Sequence, residues 1–127
     1  MLDEPTGHWV SHAERLARDT ARHAAAQYAR DRAAVAAALP VLRRVVPPGW
    51  SVDVADNPAP AVRVLPAGPV DVAAYLCPPR PGTHGWRVFV HDRTRGAGAA
   101  VFAADSAHAA AFPDPLAATT AAIRHLR

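Results

Sequence analysis

Hydrophobic and polar positions alternate most regularly between Trp86 and Asp92. Trp86, Val88 and Val90 fall on one side and Arg87, Phe89 and His91 on the other. A period of two is what a strand needs when one of its faces is buried. Residues 92–98 supply turn chemistry, with Gly96 and Gly98 free to take positive φ, and a second arm runs on to Ala103. The stretch reads as a hairpin.

Three shorter runs precede it. Trp50 to Asp56 places Trp50, Val52 and Val54 on one face and Ser51 and Asp53 on the other. Ala61 to Leu65 turns Val62 and Val64 inward and Arg63 outward, and Val70 to Cys77 forms a third run weakened by two alanines. Proline- and glycine-rich segments at 57–60, 66–69 and 78–85 separate them. Regular spacing of this kind predicts an antiparallel meander of four to five strands.

The flanks follow a helical period. Ser11 and Glu14 have the spacing of a capping box, which predicts a helix from about residue 12 after a loose lead-in at 1–7. An apolar stripe passes through Trp9, Ala13, Leu16, Thr20, Ala24 and Tyr28, then Val35, Leu39, Leu42 and Val46. Pro40 removes a ladder hydrogen bond, so a kink or break is expected near Ala38, with a short second helix from Pro40 to Val46 that Pro47, Pro48 and Gly49 end. A turn of helix is expected at 105–112. Asp114 as cap and Pro115 at the first helical position predict a last helix, Leu116 to Leu126, with Leu116, Thr119, Ile123 and Leu126 on one face. The expected fold is a single α+β domain, its inward strand residues meeting the apolar faces of the terminal helices. The other sheet face, with Asp53, Arg63, Tyr75, Arg87, Phe89 and His91, is left open.

Composition modifies this picture in few places. The chain has 127 residues, of which 50% are hydrophobic, many of them alanine, so the core is modest. Net charge is +3, and all 14 basic residues are arginine. The absence of lysine suits the codon bias of a high-GC genome and weakens the inference from charge to nucleic acid. Along the first helix, Arg15, Arg18, Arg22, Arg30 and Arg32 interleave with Glu14, Asp19 and Asp31, the pattern of a solvated face. With Cys77 as the one cysteine, no intrachain disulfide forms. No signal peptide or apolar run long enough to span a bilayer is seen, and a soluble cytoplasmic protein is expected.

Catalytic and metal signatures are weak. His8 and His12 have i,i+4 spacing but no third ligand at a recognised offset, and Cys77 has no C-x-x-C partner. Asp105, Ser106 and His108 hold the letters of a triad, but a triad is a spatial arrangement, and no G-x-S-x-G is present. No catalytic residue, metal ligand or cofactor is assigned, and a small enzyme with a pocket between sheet and helices is a distant third reading. The string Arg87-Val-Phe-Val lacks the glycines of an RNA-recognition strand. Asp114-Pro-Leu-Ala-Ala lacks the lysine-rich helix start of a double-stranded-RNA-binding domain. No family is assigned.

One cluster interleaves basic and aromatic residues: Arg80, His84, Trp86, Arg87, Phe89, His91, Arg93 and Arg95, opposed only by Asp92. With Arg63 and Tyr75 of the open face, it forms the candidate binding surface. The leading expectation is a non-enzymatic interaction or adaptor module that receives a protein partner there, since tryptophan, phenylalanine and arginine are enriched at interfaces. A homodimer through the alanine-rich first helix is a further expectation. The alternative is nucleic-acid binding through Arg80, Arg87, Arg93 and Arg95, with Phe89 stacking on bases.

Overall fold

The computed structural model describes residues 11–56, 59–80, 85–92, 94, 96–100 and 111–126. Its elements in chain order are α1 (His12–Val45), β1 (Ser51–Ala55), β2 (Ala61–Leu65), β3 (Val72–Cys77), β4 (Arg87–Asp92), β5 (Ala97–Ala100) and α2 (Pro115–Leu126). The expected turn of helix at 105–112 falls largely outside the described residues. The five strands form one antiparallel sheet in the order β1-β2-β3-β4-β5, each next to its sequence neighbours. The α+β meander is therefore present, and the alanine-containing β3 is its central strand.

The chain divides into two units, Met1–Arg30 and Asp31–Arg127. In the first, Ser11 caps α1, its Oγ accepting from the Glu14 N–H at 3.1 Å. Residues 12–26 are all exposed, including Leu16 at 53%. Tyr28 of the same stripe is 45% exposed. Arg30 donates to the Gln27 side chain at 3.0 Å, and Arg22 lies 3.7 Å from Asp19.

In the second unit the core lies on one face of the sheet. Val52, Val62, Val64, Ala74, Leu76 and Val88 pack with Val35, Ala38 and Leu42 of α1 and with Ala118 and Ala122 of α2. The period-two reading of the strands accounts for that face. Trp86 joins the same core at 5% exposure, and its backbone pairs with Phe112 through two hydrogen bonds of 2.8 and 2.9 Å. That pairing needs Gly85, because a Cβ there would collide with the Phe112 backbone.

Several expectations are corrected. Pro40 lies inside α1, which runs unbroken to Val45, so no separate second helix forms. Residues 36 and 40 are both exposed, which leaves water to satisfy the carbonyl that proline cannot serve. Val35, Ala38 and Leu42 anchor the helix on both sides of it. Burial of a large apolar side chain is worth about 1.5–3 kcal/mol, so two of them offset an interior proline costing about 3 kcal/mol.

On α2, Asp114 caps as expected, its Oδ1 accepting from the Ala117 N–H at 2.8 Å. The buried residues are Ala118, Thr119 and Ala122, however, and Leu116 is 44% exposed. Small side chains let the helix backbone approach β3 and β4, and the Thr119 hydroxyl is satisfied by the Pro115 carbonyl at 2.8 Å. β3 begins at Val72 instead of Val70. Val70 is 39% exposed and bonds back to Gly68, which holds φ at 89°. β5 begins at Ala97, so Gly98 pairs with His91 inside the strand and Gly96, at φ 64°, makes the turn.

Asp31 is the largest departure. It reads as part of a solvated face, yet it is 1% exposed, and Arg80 Nη2 donates to its Oδ2 at 2.9 Å.

Candidate functional site

The face opposite the core is built by the other half of the same alternation. Strand register aligns Asp53, Arg63, Tyr75, Phe89 and Ala100 in one row across all five strands. Arg87 stands opposite Cys77 in the next row on one side, and His91 stands opposite Ala73 on the other. The sequence places Tyr75, Phe89, Arg87 and His91 together, and the structure does so as well.

Arg63 and Asp53 close the β1–β2 end of the row. Nε and Nη2 of Arg63 donate to the two carboxylate oxygens of Asp53 at 2.9 and 2.6 Å. This bidentate bond, aided by the Asp53 charge and by Tyr75, raises the Arg63 pKa against the opposing effect of burial. Both side chains are more than a third exposed, so solvent screening limits the pair to about 0–1 kcal/mol. Arg63 already has its carboxylate and contributes less to a binding surface than its charge suggests.

A groove of about 510 Å³ lies over β3 and β4, lined by Ala61, Tyr75, Cys77, Arg80, Arg87 and Phe89 among others. His91 also borders it. A volume of this order receives a side chain cluster or a small organic molecule. The groove is on the face opposite the core, whereas the described helices pack on the core face, where the enzyme reading requires its pocket. Its wall is apolar at Ala61, Pro60 and Pro78, with two arginines set into it.

The two arginines differ in state. Arg80 bridges to Asp31 on α1. Arg87 lies over the Phe89 ring at 5.5 Å from its centroid, a cation–π distance. Its Nε is buried and has no hydrogen-bond partner among the described residues. Cys77, facing Arg87 across the strands, is half-buried. Burial pushes its thiol above the ordinary value. Arg87 and Arg80 oppose that shift and Asp31 adds to it. A thiol held neutral is a poor nucleophile.

The remaining candidates separate cleanly. Trp86, which the alternation places inward and the basic–aromatic cluster places on the binding surface, is a core residue, and the Phe112 bridge fixes it there. Arg93, Arg95 and His84 lie outside the described residues, as do His8, Asp105, Ser106 and His108. Among the described residues, no three His, Cys, Asp or Glu side chains group as a metal site, and no helix is long and apolar enough to cross a membrane.

Sequence reasoning missed Ala61 and Cys77 as lining residues, although period two from Arg63 and Tyr75 reaches both. Pro60, Pro78 and the Asp31–Arg80 bridge carry no such signal, since they depend on loops and on a helix 49 residues away in sequence. With this geometry in view, comparison with protein-family models, with curated proteins and with solved structures finds no match. The fold and groove therefore define the molecule only by class: an α+β domain whose described helices pack on one face of a five-stranded meander.

Proposed function

We propose that this protein is a non-enzymatic interaction module that receives a protein partner on the sheet face opposite the core. The observation that carries the reading is the groove over β3 and β4, where Tyr75 and Phe89 stand side by side in the cross-strand row, next to Arg87. Apolar walls, rigid aromatic side chains and an arginine are the composition of an interface centre. Antiparallel strands held by core packing on their far side present these groups with little ordering cost.

The same aromatic pair on an open sheet would also stack nucleotide bases. Phosphate binding draws on several cations together, and Arg80 is already bridged to Asp31. That observation favours the protein reading.

The test is a pull-down with the tagged full chain from its native cell, with and without nuclease. Wild type is compared with Phe89→Ala on the groove and Leu116→Ala on α2. A protein that survives nuclease, is lost with Phe89→Ala and is retained with Leu116→Ala is the expected result. Recovery of nucleic acid, with proteins lost on digestion, would replace the reading with its alternative.

A further inference from the structure

We infer that the groove docks an acidic peptide segment, with a partner carboxylate at Arg87 and a neighbouring apolar side chain against Phe89 and Ala61. The inference rests on the protein-binding reading and names the chemistry of the partner.

Charge complementarity carries it. The described residues lining the groove include Arg80, Arg87 and His91, and none is a carboxylate. The nearby acid Asp31 takes a hydrogen bond from Arg80 at 2.9 Å, and Asp53 is gripped by both arms of Arg63. Among the described residues, the positive charge of Arg87 has no such counterpart. Its contact is the Phe89 ring, and its Nε is a buried donor without a partner. A guanidinium presents its donors as a planar fork, and a carboxylate matches that fork with two oxygens.

The apolar part of the groove sets the second requirement. At about 510 Å³ the space exceeds what a carboxylate fills, and its walls at Ala61, Pro60, Pro78 and Phe89 are apolar. An apolar side chain beside the acid fills that space and keeps water from the ion pair, which strengthens it. Arg87 is in place before the partner arrives, so little rotamer freedom is lost on binding.

The experiment is an amide NMR titration of the full-length chain with three blocked peptides: acetyl-Glu-Phe-Glu-amide, acetyl-Gln-Phe-Gln-amide and acetyl-Lys-Phe-Lys-amide. The acidic peptide is expected to shift the amides of Tyr75, Cys77, Arg87 and Phe89 and to bind roughly tenfold more tightly than the glutamine peptide, the factor set by one charge-assisted hydrogen bond. The lysine peptide should be weakest. Arg87→Gln should erase the preference, and about 0.5 M salt should reduce it in wild type. If Arg87→Gln does not fold, the wild-type peptide ranking and its salt dependence still decide. Equal affinity for the acidic and neutral peptides at these amides would overturn the inference and leave the protein-binding face standing. Shifts confined to other residues would overturn it, as would an oligothymidylate that moves the same amides more strongly. Loss of the pulled-down partner with Phe89→Ala but not with Arg87→Gln would separate the two claims in the same way.

Discussion

The two faces of the sheet are made by the same strands and differ in nearly everything else. One collects Val62, Val64, Leu76 and Val88, all essentially inaccessible to solvent, and meets two helices. The other collects Arg63, Tyr75, Arg87, Phe89 and His91, each partly exposed. Burial on the first face contributes about 1.5–3 kcal/mol per large side chain, whereas the exposed Arg63–Asp53 pair contributes about 0–1 kcal/mol. Stability is thus concentrated on one side, and the proposed binding residues lie on the other. The comparison teaches that alternate residues of one strand can differ sharply in what they contribute to stability, which is where the proposed recognition role finds room.

The sharpest way to break this comparison is on the covered face. Leu76 is fully buried, and Leu76→Ala is expected to cost about 2–5 kcal/mol in urea unfolding through lost transfer energy and a residual cavity. Gly85→Ala should cost about 1–3 kcal/mol, because its Cβ meets the Phe112 backbone and forces the Trp86 bridge to shift. Thermal unfolding of that variant, with tryptophan fluorescence reporting on the core, checks it.

Asp31→Asn tests the contact between α1 and the loop after β3. Removing one partner of a buried ion pair costs several kcal/mol. The Arg80 side chain is 40% exposed and can rehydrate, which brings the expected loss to about 1–2 kcal/mol. On the open face, Phe89→Ala should cost less than about 1 kcal/mol, the value of a cross-strand pair, while removing partner binding. A Phe89→Ala variant destabilised as strongly as Leu76→Ala would end the separation of roles drawn here.

The smallest effect is alkaline. Burial raises the Cys77 thiol above its ordinary value of 9.0. As pH climbs through that value, the unfolded chain loses its proton first and the folded chain holds it longer, so stability declines with rising pH until the folded thiol also ionises. Denaturant midpoints measured on either side of this range should show the decline in wild type and lose this part of it in Cys77→Ala.

Much of this was legible in the chain. Period two predicted which side of β1, β2 and β4 would be buried, and Ser11 and Asp114 announced the starts of both helices. Those signals are local, since a strand's alternation and a cap's geometry depend on residues within a few positions. The candidate site was legible to the extent that it follows the same alternation, which placed Tyr75, Arg87, Phe89 and His91 on one face. Trp86 carries two readings, inward with Val88 and Val90 by parity and part of the basic–aromatic cluster by proximity along the chain; its burial bears out the first.

What the sequence determined by itself, then, was the identity and order of the elements and the two-sided character of the sheet. The tertiary structure alone decided that α1 continues through Pro40, because the packing that offsets the missing hydrogen bond comes from distant strands. It alone buried Asp31, whose partner Arg80 lies on another element, and it set Arg87 over the Phe89 ring, with no carboxylate partner among the described residues. These outcomes depend on which residues far apart in sequence come within bonding distance, and no local pattern encodes that distance.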